Sequence, residues 1–130
     1  MTFIAKVAPV SPQVGNNVYL EERPMYGGKE ICSANPIFIW ESETQGGQGL
    51  RAHGVVLQVE HDHPKLRIEV RIDQVLPLNS HFSYADIKPF RDYTDDTPIA
   101  GLARKLCRHA HNKVAALTIA EGEFLSRYFQ

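Results

Sequence analysis

The chain has 130 residues, 43% of them apolar and 22% charged, with a formal net charge of −1. That length suits one domain able to bury roughly two thirds of its unfolded surface, and the composition excludes a disordered tail. The near-neutral charge counts against a protein that grips long nucleic acid by phosphate neutralisation alone, while leaving room for a base pocket beside a local basic patch.

The longest apolar runs, such as PIFIW and VVL, fall far below the roughly 18 residues of a spanning helix, so no membrane partner is expected. The opening MTFIAKVAPV has neither a basic leader nor a continuous apolar core, and a cytoplasmic location is the expectation. Cys32 and Cys107 are far apart and outside any C-x-x-C arrangement. Neither a zinc motif nor a disulfide framework follows from them, and both read as ordinary packed thiols.

In chain order, FIAKVAPV and NVYLEE are short β-type runs separated by the loop SPQVGN. RPMYGGKEICSANP, with its prolines and the pair Gly27-Gly28, is a loop with room for a short helical turn. PIFIWES and LRAHGVVLQVE pair as an antiparallel hairpin around the tip TQGGQG, which lacks the Gly-Lys-Ser/Thr of a phosphate loop. In LRIEVRIDQVL, Leu66, Ile68, Val70 and Ile72 alternate with Arg67, Glu69, Arg71 and Asp73. That period predicts a strand with the even-numbered set inward. The intervening HDHP is a turn.

From Pro77 onward the pattern becomes helical. Ser83 three residues before Asp86 predicts one capped turn ending by Pro89. Thr97-Pro98 starts a longer helix with Ile99, Leu102, Ala103, Leu106 and Ala110 along a buried stripe. Thr118 and Glu121 form a capping box for a last helix that buries Phe124, Leu125 and Phe129. Several β segments followed by helices describe a single α+β domain over 1–130, a small curved antiparallel sheet or barrel with flanking helices.

This order resembles the PUA-like superfamily, particularly its EVE branch and the related ASCH and YTH domains. The resemblance rests on PIFIWES, GVVLQV, LRIEVRIDQVLPL, SYADIKPFRD and KVAALTIAEGEFL, over roughly residues 35–129. Many members have a Gly-Asp pair ahead of the first of these strands, where this chain has Gly28-Lys29-Glu30. The resemblance implies a small barrel with a concave site, lined by an aromatic residue and polar strand ends, that holds a nucleobase, often a modified one.

Trp40 accordingly has two readings. It is a large core residue ending a strand, or a plate on which a base stacks, with Glu41 and Ser42 placed to read the base edge. Alternation sends Trp40 and Ser42 to one face and Glu41 to the other. Arg51 and His53, opposite on the hairpin, and Arg91 complete the ligand-binding candidates. The basic run ARKLCRHAHNK supplies Arg104, Arg108 and Lys113 as phosphate contacts, or else a solvated helix face whose cations suit its carboxyl end. His61 and His63, or His109 and His111, lie two apart and make poor chelating pairs, so no metal is expected. The expected function is a noncatalytic module, with no catalytic residues and no cofactor, that recognises a nucleobase, nucleotide or short nucleic acid. The alternatives are a small hydrolase or nuclease using His53, Glu41 or the histidine pairs, and a protein interaction module using the hairpin edge.

Overall fold

The computed structural model describes residues 1–62, 64–78, 82–107 and 111–130. Its strands are β1 (Thr2–Val7), β2 (Asn17–Glu22), β3 (Pro24–Met25), β4 (Pro36–Glu41), β5 (Gly49–Asp62), β6 (Lys65–Val75) and β7 (Lys113–Leu117). The helices are α1 (Tyr84–Ile87), α2 (Pro98–Cys107) and α3 (Ile119–Ser126).

The strands form one sheet in the order β2-β6-β5-β4-β1-β7-β3. Its two outer strands, β2 and β3, are separated in the chain by Arg23 alone. The covalent link therefore draws the sheet's edges together into a nearly closed barrel, which leaves little edge for pairing with other chains. Curvature comes from β5, a 14-residue strand. Its register against β6 shifts at His53/Gly54 and again at Val56/Gln58, and such bulges bend and twist the strand that carries them.

The run β4-β5-β6 is antiparallel, as the alternation predicts. Leu66, Ile68, Val70 and Ile72 are buried and lie in one core cluster with Phe3, Ala5, Ile37 and Ile39. That cluster fills the barrel. The opposite face of β1, β4 and β7 presents Ile4, Phe38, Trp40 and Ala115 to a second cluster with Leu102, Leu106 and Leu125 from the helices.

Two features differ from the sequence expectation. The sheet is mixed, because β1 runs parallel to β4 and β3 parallel to β7. A parallel pair needs a long crossover, and residues 8–35, which contain β2 and β3, supply it. Second, KVAAL, inside the stretch read as helical from Pro77 onward, forms β7, inserted between β1 and β3. Lys113, Val114, Ala115 and Leu117 are buried on both faces of this strand, so it shows no wet/dry alternation to mark it as β. Ala110, expected on the α2 stripe, lies outside the described residues.

Capping follows the sequence. The Asp86 carboxylate accepts from the Ser83 N–H at 2.8 Å, and Glu121 accepts from the Thr118 N–H at 2.9 Å while the Thr118 hydroxyl accepts from the Glu121 N–H at 3.1 Å. Gly28 closes the β3–β7 seam. A Cβ there would collide with the Val114 carbonyl of β7, and backbone rather than a flexible side chain would have to move. Gly28→Ala is expected to lower unfolding free energy by about 3 kcal/mol, measured by urea titration; an unchanged midpoint would show that the seam is loosely packed.

Candidate functional site

Where β2 meets β3, the barrel end opens into a cleft of about 870 Å³. Glu22, Arg23, Pro24 and Met25 form the wall at the seam, and Lys65 comes from the start of β6. Across it stand Ser42, Thr44 and Gln45, which follow β4, with His111 and Asn112, which precede β7. The long curl of β5 and β6 is what carries the hairpin end at Lys65 round to this site.

The opposite wall is pre-organised. Ser42 Oγ and Thr44 Oγ1 are 3.0 Å apart, and Asn112 Nδ2 donates to Gln45 Oε1 at 2.8 Å. A 3-10 turn over Glu43–Gln45, closed by Gly46 at φ 94, sets these side chains, with the Gln45 and Gly47 N–H groups both donating to the Ser42 carbonyl. The tip TQGGQG thus builds a wall.

Behind that wall lie two buried lysines, paired in register on β1 and β7. Lys6 Nζ donates to the Leu106 carbonyl at 3.0 Å and Lys113 Nζ to the Lys105 carbonyl at 2.8 Å. They cap the carboxyl end of α2, where the helix dipole is negative and carbonyls lack intrahelical partners. Burial, and secondarily the charge of Lys6, pulls the Lys113 ammonium down to a pKa of about 8. Burial also lowers Lys6, opposed by Cys107 and Glu43. Cys107 is half-buried, and burial pushes its pKa up, against the pull of Lys6, Arg91 and Lys113; Cys32 is exposed, which corrects its reading as a packed thiol.

The structure separates the residues that sequence reasoning had grouped. Trp40 is 1% exposed and meets Phe82 edge-on at 5.7 Å, so it has no open face on which a base could stack. Ser42 shares its side of the strand and does line the cleft. Glu41 points into the barrel, where it lies 3.6 Å from Arg51 Nε and accepts from the Val10 N–H at 3.1 Å; Arg51 also donates to the Leu76 carbonyl. This buried pair, committed to the fold, leaves neither group free to read a ligand. His53 sits elsewhere, between Phe38 at 4.9 Å and Phe129 at 6.0 Å, on two smaller clefts of about 320 and 220 Å³. Burial lowers its pKa, opposed by Asp73.

The basic run is also divided. Arg104 donates to the Tyr93 and Asp95 carbonyls at 2.7 and 3.1 Å, tying down the loop before α2. Lys113 is 0% exposed, which corrects its expected role as a phosphate contact. Arg108 lies outside the described residues, as do His63 and His109. Arg91 is exposed, 3.8 Å from Asp92, a surface pair of little energetic consequence. Among the described residues no cluster of His, Cys, Asp or Glu could hold a metal ion, and no helix is long and apolar enough to cross a membrane.

Sequence reasoning missed Glu22, Arg23, Thr44, Gln45, Lys65 and Asn112 as a set. The strand that ends in Glu22 and is followed by Arg23-Pro24 was one available signal, since proline confines the chain to an edge.

The fold is of the PUA-like α+β type. No family model matches the sequence, and no curated protein matches it. Among solved structures, the human THYN1 protein in complex with DNA containing 5-methylcytosine superposes with a TM-score of 0.69 at 13% identity, over 99% of this chain and 98% of that one. The DUF55 domain of human thymocyte nuclear protein 1 matches with a TM-score of 0.68 at 12% identity, over 98% of each chain.

Two outcomes follow. Trp40→Ala is expected to cost about 3 to 5 kcal/mol, the usual cost of emptying an aromatic core site, whereas Trp40→Phe retains ligand affinity in the folded fraction; a selective loss of affinity in Trp40→Phe would return the indole to the site. For Lys113, a folded pKa below the usual 10.5 means that the folded state binds fewer protons than the unfolded state between about pH 8 and pH 10.5. Wild-type stability measured against Lys113→Met should therefore rise with pH across that window, by urea titration; a falling difference would mean that the buried ammonium is favourably held.

Proposed function

We propose that the protein is a noncatalytic module that receives a nucleobase, 5-methylcytosine or another modified base, turned out of a nucleic-acid strand into the cleft at the β2–β3 seam. The observation that carries this reading is the cleft itself. Its volume of about 870 Å³ is within the range of small-ligand sites. Hydroxyl, amide and carboxyl groups line it together with Pro24 and Met25, matching a base that has a polar edge and an apolar face. The fold supports the same reading, because a structure matched over 99% of this chain was solved with DNA containing 5-methylcytosine.

In this reading the phosphate contacts are Arg23 and Lys65, which line the cleft, with the exposed Arg91 as an outer contact. Gln45 and Asn112 exchange their mutual hydrogen bond for bonds to the base. The chain's formal charge of −1 fits a binder that depends on one pocket more than on a long phosphate track.

The test is fluorescence anisotropy with short single-stranded and duplex DNA containing 5-methylcytosine, at low and moderate salt. Gln45→Leu and Asn112→Leu are each expected to weaken binding by about 1 to 3 kcal/mol, the range for a hydrogen-bonded base contact. Arg23→Ala and Lys65→Ala should act on all sequences alike and reduce the salt slope by about one each. If the wild-type protein binds neither modified nor unmodified DNA or RNA at low salt, the reading is wrong.

A further inference from the structure

Glu22, the last residue of β2, is half-buried in the wall of the seam cleft. No hydrogen bond to its carboxyl comes from any described residue. Its electrostatic surroundings are mixed. Lys65 acts to keep it ionised and Glu21 to keep it neutral, but the Glu21 carboxylate itself has Arg67 at 3.8 Å. Arg23 follows in the chain and His111 lines the other side of the cleft. On the strands packed beside it, Glu22 is in register with Leu66, which pairs His61, while Asp62 pairs Lys65. Burial is the largest influence, and it raises the Glu22 carboxyl to a pKa of about 7.

A carboxyl with no hydrogen-bond partner among the described residues, facing a cleft of small-ligand size, has a hydrogen-bonding edge to offer. Its chemistry depends on the proton. A neutral carboxyl presents one donor beside one acceptor, whereas a carboxylate presents two acceptors. Cytosine and its 5-substituted forms carry a ring-nitrogen acceptor next to an exocyclic amine. Guanine carries two adjacent donors, N1–H and the exocyclic amine, which suit a carboxylate, and also the O6 acceptor beside N1–H, so it can pair with either protonation state.

We propose that Glu22 is the specificity-determining residue of the cleft, pairing its carboxyl edge in the neutral form with the Watson–Crick edge of a cytosine-type base, which has one donor beside one acceptor, and turning the preference toward guanine when the proton is lost. The proposal rests on the base-binding reading above and adds which residue does the reading and in which protonation state. Above neutral pH the free carboxyl is ionised, so binding takes up one proton from solvent. Affinity for such a base then falls as pH rises, by about tenfold between pH 6 and pH 8 for a group titrating near 7.

The experiment measures anisotropy with a DNA strand holding one 5-methylcytosine flanked by abasic linkers, and with the same strand holding guanine, at pH 6, 7 and 8. The proteins are wild type, Glu22→Gln, Glu22→Ala and His111→Gln, each checked for an intact melting transition. Wild type should lose about tenfold in affinity for 5-methylcytosine between pH 6 and pH 8, while its affinity for guanine does not fall. Glu22→Gln, whose amide keeps a donor beside an acceptor at every pH, should bind at pH 8 as wild type does at pH 6 and show a flat profile. Glu22→Ala should lose about tenfold at pH 6, and His111→Gln should keep the wild-type profile. The proposal is overturned if binding occurs but Glu22→Gln retains the pH dependence, if His111→Gln removes it, or if affinity for guanine falls with pH as affinity for 5-methylcytosine does. Absence of binding to either strand at every pH would instead overturn the base-binding reading, and this inference with it.

Discussion

The carboxyl end of α2 rests on lysines that reach it from the barrel, and the rest of the molecule is arranged around that contact. Lys6 from β1 and Lys113 from β7 donate to the Leu106 and Lys105 carbonyls, while Lys105 turns the other way to donate to Ala116 and to the buried carboxylate of Glu121. A helix end would otherwise bury carbonyls without partners, at a cost comparable to several lost hydrogen bonds. Here each strand supplies a cation to the negative pole of the helix, and Glu121 supplies an anion in return. Gly101 leaves space for that carboxylate, since any side chain there would collide with it. The helices are thus held to one face of the barrel by these hydrogen bonds as well as by the cluster around Trp40, Leu102 and Leu125.

That arrangement decides where a ligand can go. Trp40, Lys6 and Lys113 are committed to the helix face and Glu41 with Arg51 to the inside of the barrel, whereas Thr44, Gln45, Asn112, Glu22 and Arg23 line the cleft at the β2–β3 seam. The closure of the sheet itself makes the cleft. Glu22 and Arg23 are on its wall because they lie where one edge strand passes into the other, and Asn112 because it precedes the strand that the second edge pairs with.

How much of this could be seen in the sequence depends on the solvent each element faces. The β4–β5–β6 core was legible because β6 has one wet face, so Leu66 to Ile72 alternate with charged residues. The caps at Ser83 and Thr118 were legible because they are local. β7 was not, since all its neighbours are protein and its composition carries no period. The parallel pairing of β1 with β4 is a long-range fact that no window of sequence contains. For the site, Ser42, which lines the cleft, was named only beside Trp40, which proved to be core. Glu22 and Asn112 are 90 positions apart in the numbering and meet only through barrel closure, so no spacing could have joined them.

The central claim is that the seam cleft is where the ligand binds. Backbone amide chemical shifts recorded by NMR during titration with a 5-methylcytosine-containing DNA strand test it most directly. The account predicts the largest changes at Glu22, Thr44, Gln45 and Asn112, with Phe38, His53 and Phe129 unmoved. Changes centred on His53 and Phe129, with the seam residues silent, would contradict it.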